Sequence, residues 1–230
     1  MPRHAVVFDL DGTLVDSAPD LMGATNHILR GLGRRAISMD EVRAFVGHGA
    51  RALVTRGLNA TGGLPEGFDL EQTYKAFVAY YADHIADHST VFNGLIPLLE
   101  RLSGAGIALG VCTNKLEGLS VQLLEALGLA RYFGAVVGPD TLGVAKPDPR
   151  PYAETLARLG GGFAASVMVG DSETDILTAR AAGVPVLAVP FGYTPQPVSA
   201  FNPDMLIQHY DEAWPALMAL LEKAGKAALT

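Results

Sequence analysis

The sequence predicts an α/β fold, a doubly wound parallel sheet with an inserted all-helical block. Three observations point there. Short, continuous apolar runs recur along the chain, helical patterns separate them, and one stretch from about Ser17 to Thr90 breaks the alternation with helical patterns alone. Apolar runs that do not alternate with polar residues suit strands covered on both faces.

The first run, Ala5 to Leu10, is apolar and β-branched and is stopped by Asp11-Gly12. Four helices are then expected, over roughly Pro19 to Leu32, Met39 to Phe45, Ala50 to Asn59 and Leu70 to His88, with no strand among them. Gly62-Gly63-Leu64-Pro65 is a loop between helices. A helical block placed straight after the first strand makes a separate lobe, residues 17–90, tethered near Asp16 and Phe92 to a core of residues 1–16 and 91–230.

Beyond the lobe, helix and strand alternate. Leu95 to Ser103 is a helix stopped by Gly104, and Leu116 to Leu127 ends at Gly128. Pro151 to Leu159 closes on three glycines, and Thr174 to Ala182 ends at Gly183. The strands between are Ile107 to Thr113, Ala135 to Gly138, Ser166 to Gly170 and Val184 to Val189, with Met205 to Ile207 as a short sixth. This order implies right-handed crossovers.

At 230 residues the chain can bury one good-sized core and still carry a lobe. Its net charge of -7 is scattered and no polybasic run exists, which argues against nucleic acid or an anionic membrane as partner. The single cysteine, Cys112, cannot form an intramolecular disulfide and fits a reducing compartment. No signal-peptide pattern precedes the first strand, and no apolar stretch reaches the length of a membrane span, about 18 residues or more. A cytoplasmic protein, monomer or homodimer, is expected.

Two acidic motifs carry the chemistry. Asp9-Leu10-Asp11-Gly12-Thr13-Leu14 places two carboxylates at the carboxyl end of a buried strand, where ligands bind in open α/β sheets. Gly170-Asp171-Ser172-Glu173-Thr174-Asp175 follows another buried strand and opens a helix, with Asp171 and Asp175 one turn apart. Four converging carboxylates repel one another unless a hard divalent cation joins them, and Mg2+ takes one or two carboxylates plus phosphate and water. For the anion, Thr113-Asn114 offers a hydroxyl, an amide and strand-end N–H groups, and Lys146, stiffened by Pro147-Asp148-Pro149, offers a point charge.

In this order, DxDGT, Thr-Asn, Lys-Pro and GDSxxD resemble the haloacid dehalogenase superfamily of phosphotransferases, over nearly the whole chain. The resemblance implies a Rossmann-like core with a helical cap, and the strands bearing Asp9 and Asp171 side by side. It implies that Asp9 is the nucleophile and a magnesium ligand, forming an aspartyl phosphate. Asp11 would be the general acid and base, ligating the metal through its backbone carbonyl. Asp171 would bind magnesium directly and Asp175 mainly through water, while Thr113, Asn114 and Lys146 would cradle the phosphate.

Specificity would lie in the lobe. Val46-Gly47-His48-Gly49-Ala50-Arg51 puts two glycines and a helix start near the site, with Gly47 allowing close approach and Arg51 placed to pair with a substrate carboxylate. This segment, with Asp16-Ser17-Ala18-Pro19-Asp20-Leu21, is similar to that of bacterial phosphoglycolate phosphatases, implying a small phosphorylated metabolite as substrate. Relatives acting on pyrophosphate, sugar phosphates or amino-sugar phosphates remain alternatives, as does a non-catalytic phosphate-sensing module. Cys112 reads as a small core residue, His84 and His88 as part of a solvated helix face, and Trp214 with Leu217, Leu220 and Leu221 as a core-facing stripe.

Overall fold

The computed structural model describes residues 3–227. Strand β1 (His4–Phe8) leads through a tight turn at Gly12 to the two-residue β2 (Val15–Asp16). Helices α1 (Ala18–Gly31), α2 (Met39–Phe45), α3 (Ala50–Ala60) and α4 (Leu70–Asp83) follow, and the chain returns along β3 (Thr90–Val91). The core then builds through α5 (Leu95–Gly104), β4 (Ala108–Cys112), α6 (Glu117–Ala126), β5 (Ala135–Val137), α7 (Pro139–Leu142) and α8 (Arg150–Arg158). It closes with β6 (Ala165–Gly170), α9 (Glu173–Ala182), β7 (Val186–Ala188), β8 (Met205–Leu206) and α10 (Ala213–Ala227).

Six strands form one parallel sheet in the order β5-β4-β1-β6-β7-β8. The chain order reverses at β1, which pairs β4 on one side and β6 on the other, so the crevice beyond the carboxyl end of β1 is the switch point. Alternate side chains of each strand feed two cores. Val6 and Phe8 share one with Leu99 of α5 and Leu217 of α10, whereas Val7 shares the other with Tyr152 of α8 and Ile176 of α9. Cys112 is buried in the second core, and burial pushes its thiol up to about 12, so it is a packing residue. Leu217, Leu220 and Leu221 are buried on α10, while Trp214 is only half-buried, its ring 4.0 Å from the Arg101 guanidinium.

Two sequence expectations need correction. The fourth inserted helix ends at Asp83 rather than at His88. The buried carboxylate of Asp20 accepts from the N–H groups of His88 and Ser89 and from the Ser89 hydroxyl, and this demand takes the backbone out of helix. The expected absence of a strand between residues 17 and 90 also fails at its last residue. Thr90 pairs antiparallel with Asp16, making a narrow ribbon where the chain leaves and re-enters the core.

Candidate active site

The carboxyl ends of β1 and β6 carry the acidic residues. Main-chain pairing sets them side by side, with Phe8 opposite Val169 and the Asp9 N–H donating to the Val169 carbonyl at 2.9 Å. One oxygen from each of Asp9, Asp171 and Asp175 then falls within 4.8 Å of the others. This closeness requires residues without a β-carbon nearby. A β-carbon on Gly192 would lie 2.2 Å from Asp171 Oδ2, and one on Gly170 would lie 2.3 Å from Asp175 Cβ.

Each carboxylate is held differently. Asp171 accepts from the Thr13 hydroxyl and from the Tyr193 N–H, both at 2.7 Å. Asp175 caps the start of α9, its Oδ2 accepting from the N–H groups of Asp171 and Ser172 and from the Ser172 hydroxyl. Its Oδ1 accepts from Lys146 Nζ at 2.6 Å. The same ammonium lies 2.8 Å from Asp9 Oδ1 without the alignment of a hydrogen bond, and that buried oxygen has no other partner.

Burial is the main reason that the Asp9 carboxyl is pushed up to about 6, with Lys146 opposing the shift and Asp175 adding to it. Burial, then Asp175 and Asp9, likewise hold Asp171 well above the carboxylate range. Burial alone would lower Lys146, but Asp175 and Asp9 outweigh it and the ammonium is stabilised. Three buried carboxylates against one buried ammonium leave an excess of negative charge. An all-oxygen donor set with this excess of negative charge fits a hard divalent cation.

The fourth expected member of this cluster stands apart. The Asp11 carboxylate turns away from the other three because Lys115 Nζ binds both of its oxygens, at 2.9 and 3.0 Å, and the Ser17 hydroxyl donates to it at 2.5 Å. Asp11 therefore faces a pocket lined by Thr113 and Asn114 from the core and by Gly47, Gly49 and Ala50 from the inserted helices. Thr113 is buried beside Asp9, whereas the Asn114 side chain is engaged at both ends. Its amide donates to the carbonyls of Gly47 and Lys146, and its oxygen accepts from the Lys146 N–H.

The structure does not bring Arg51 to this pocket. Its guanidinium is half exposed, pairs with Glu71 at 2.5 Å and lies 4.5 Å from the Tyr74 ring. His84 pairs with Asp87 on the surface and packs its ring, tilted, 4.3 Å from that of Tyr80, apart from the acidic cluster. Conversely, Lys115, Gly192 and Tyr193 are site residues that the sequence motifs did not single out. The only sequence signal for Lys115 was its place directly after Thr113-Asn114.

The profile of the family described as "Haloacid dehalogenase-like hydrolase" matches residues 6–189, from within β1 past the end of β7. The chain belongs to that family. Phosphoglycolate phosphatase from Mesorhizobium japonicum is 44% identical over 211 residues, covering 92% of this hydrolase and 93% of the relative. Phosphoglycolate phosphatase from Agrobacterium fabrum is 44% identical over 224 residues, covering 96% and 95%. Among solved structures, a predicted phosphoglycolate phosphatase from Haemophilus somnus superposes with a TM-score of 0.86 at 28% identity, over 92% of this chain and 96% of that one. CbbY from Rhodobacter sphaeroides, solved in complex with phosphate, gives 0.80 at 22% identity over 95% and 100%, a likeness of fold. The hydrolase is accordingly a phosphatase of the haloacid dehalogenase-like family.

Proposed function

We propose that this hydrolase is a cytoplasmic, magnesium-dependent phosphatase that cleaves 2-phosphoglycolate through an aspartyl phosphate on Asp9. The observation that carries the reading is the paired arrangement of two carboxylates. Asp9, whose buried Oδ1 meets the Lys146 ammonium at 2.8 Å, and Asp11, held by Lys115, line the same pocket. The relatives named phosphoglycolate phosphatase support the choice of substrate.

On this reading Asp9 and Asp171 hold the cation directly, with the Asp11 backbone carbonyl as a third protein ligand. Asp175, whose oxygens are already engaged, contributes through water. Bound magnesium supplies positive charge to the phosphoryl oxygens and offsets the acidic cluster. Asp9 attacks phosphorus, and the P–O bond to the leaving group breaks as Asp11 gives that oxygen a proton. Asp11 then takes a proton from the water that attacks the aspartyl phosphate, which releases phosphate and regenerates both carboxyl groups. Thr113 and Lys146 meet the phosphoryl oxygens, Lys146 as a charge already oriented by Asp175.

The inserted helices act as a cap over the leaving group. Among the described residues no helix is long and apolar enough to cross a membrane, and a small metabolite rather than a nucleic acid or lipid surface is the proposed partner.

Phosphate release over 2-phosphoglycolate, pyrophosphate, sugar phosphates and amino-sugar phosphates, with and without magnesium, tests the reading. The highest kcat/KM is expected for 2-phosphoglycolate, with loss of turnover on chelation. A clear preference for another of these phosphates would replace the substrate, and metal-independent turnover would remove the mechanism.

A further inference from the structure

The pocket above Asp9 is walled mostly by apolar side chains, including Leu21, Leu53, Phe77, Leu116 and Leu119, and among the described residues Lys115 is its only basic lining residue. A carboxylate brought from water into such a space is strongly disfavoured unless a cation or several donors meet it. Lys146 lies at the phosphate end of the site, between Asp9 and Asp175. Arg51 is turned outward to Glu71.

Lys115 has the required position. Its side chain is 5% exposed and lies between Asp11 and the face of Tyr81, with Nζ 4.6 Å from the ring centroid. An ammonium has three N–H groups; two meet the Asp11 oxygens, and the third is left beside Tyr81, against whose ring the ammonium packs. Tyr81, from α4, supplies a second donor, because its hydroxyl is buried in the same wall and has no hydrogen-bond partner among the described residues. A third comes from α3, whose start at Gly49 and Ala50 lines the pocket. The first N–H groups of a helix lack intrahelical acceptors.

We propose that Lys115, the Tyr81 hydroxyl and the first N–H groups of α3 form the subsite for a substrate carboxylate, at the end of the molecule remote from its phosphate. The subsite rests on the reading of this enzyme as a phosphatase for a small carboxylate-bearing phosphomonoester. It gives specificity to the core loop after β4 and to α4, rather than to Arg51. It also sets the substrate carboxylate beside the cation that holds Asp11, so that recognition of the far end and placement of the proton donor share one residue.

The test compares kcat/KM for 2-phosphoglycolate with that for ethyl phosphate, which carries a methyl group in place of the carboxylate. In the wild type the ratio favours 2-phosphoglycolate. Lys115→Met is expected to lower this ratio by about 30-fold or more, mainly through KM for 2-phosphoglycolate. Tyr81→Phe, which removes one hydroxyl, lowers it by about 5-fold, and Lys115→Arg recovers part of the loss. If Lys115→Met does not fold, the other two variants decide the matter by the same ratio. A wild-type preference that survives in every folded variant overturns the subsite alone, even where both rates fall together, since Lys115 would then act only on Asp11. A wild type with no preference between the two esters overturns the substrate reading and the subsite with it.

Discussion

The N–H of Tyr193 donates to Asp171 Oδ2 at 2.7 Å, and the hydroxyl of the same tyrosine donates to Asp16 Oδ1 at 2.5 Å. One residue on the loop after β7 thus ties an acidic-cluster carboxylate to the ribbon where the inserted helices begin. The Ala18 N–H at the start of α1 donates to the same hydroxyl at 2.9 Å.

That loop depends on Gly192. Gly192→Ala is expected to push the Asp171 carboxylate from its place, because the new methyl would meet it at 2.2 to 2.3 Å. Overpacking of this kind costs about 1–3 kcal/mol, and the rise in Tm on adding magnesium should shrink. Thermal unfolding with and without the cation measures both. An unchanged magnesium effect would mean that Asp171 does not hold the metal.

Replacing Asp9 with Asn separates chemistry from stability. Turnover should fall by about 10³-fold or more, since the proposed nucleophile is gone. The metal-free fold should be as stable as the wild type or more so at neutral pH, because burial disfavours the ionised Asp9 carboxylate. A fall in Tm for metal-free Asp9→Asn would contradict that balance.

The pH dependence follows from the same group. The ordinary value for Asp9 is 3.8 and its folded value is raised to about 6. The folded chain therefore holds a proton that the unfolded chain has released, and the stability contributed below 3.8 is lost as pH rises through about 6. Asp171 acts in the same direction. Cation binding requires the ionised forms, so the magnesium-induced rise in Tm should be larger at pH about 7.5 than at pH about 5. Calorimetry across that range would show it, with protons released on binding at the lower pH.

Arg51→Ala should change little. Its ion pair with Glu71 is exposed on both sides, and such pairs contribute about 0–1 kcal/mol. Values of kcat/KM for 2-phosphoglycolate within about threefold of the wild type are expected. A large rise in KM would instead show that the arginine swings to the substrate.

These expectations mark where sequence reasoning reached and where it stopped. The sheet strands were legible because each is a continuous apolar run, and the acidic motifs because carboxylates at buried strand ends need a partner. The β2–β3 ribbon was not, since two-residue strands carry no periodicity. The end of α4 was hidden because it is set by the Asp20 carboxylate, far away in sequence. Arg51 was misplaced for a rotational reason. The buried face of α3 is Leu53, Val54, Gly57 and Leu58, which centres Ala50 and leaves Arg51 at the flank beside Tyr74. Lys115 was not singled out from the sequence, and only the packing of Tyr81 against it reveals a buried charge.

Asn114 has a mechanical consequence. Its amide grips the Gly47 carbonyl of the inserted segment while its oxygen grips the backbone of Lys146. Lifting the helices off the sheet must break the first of these bonds and unload the second. The loop that aims the ammonium at Asp9 is therefore coupled to the seating of the inserted helices, so that their docking and the placement of that charge are two readouts of one latch.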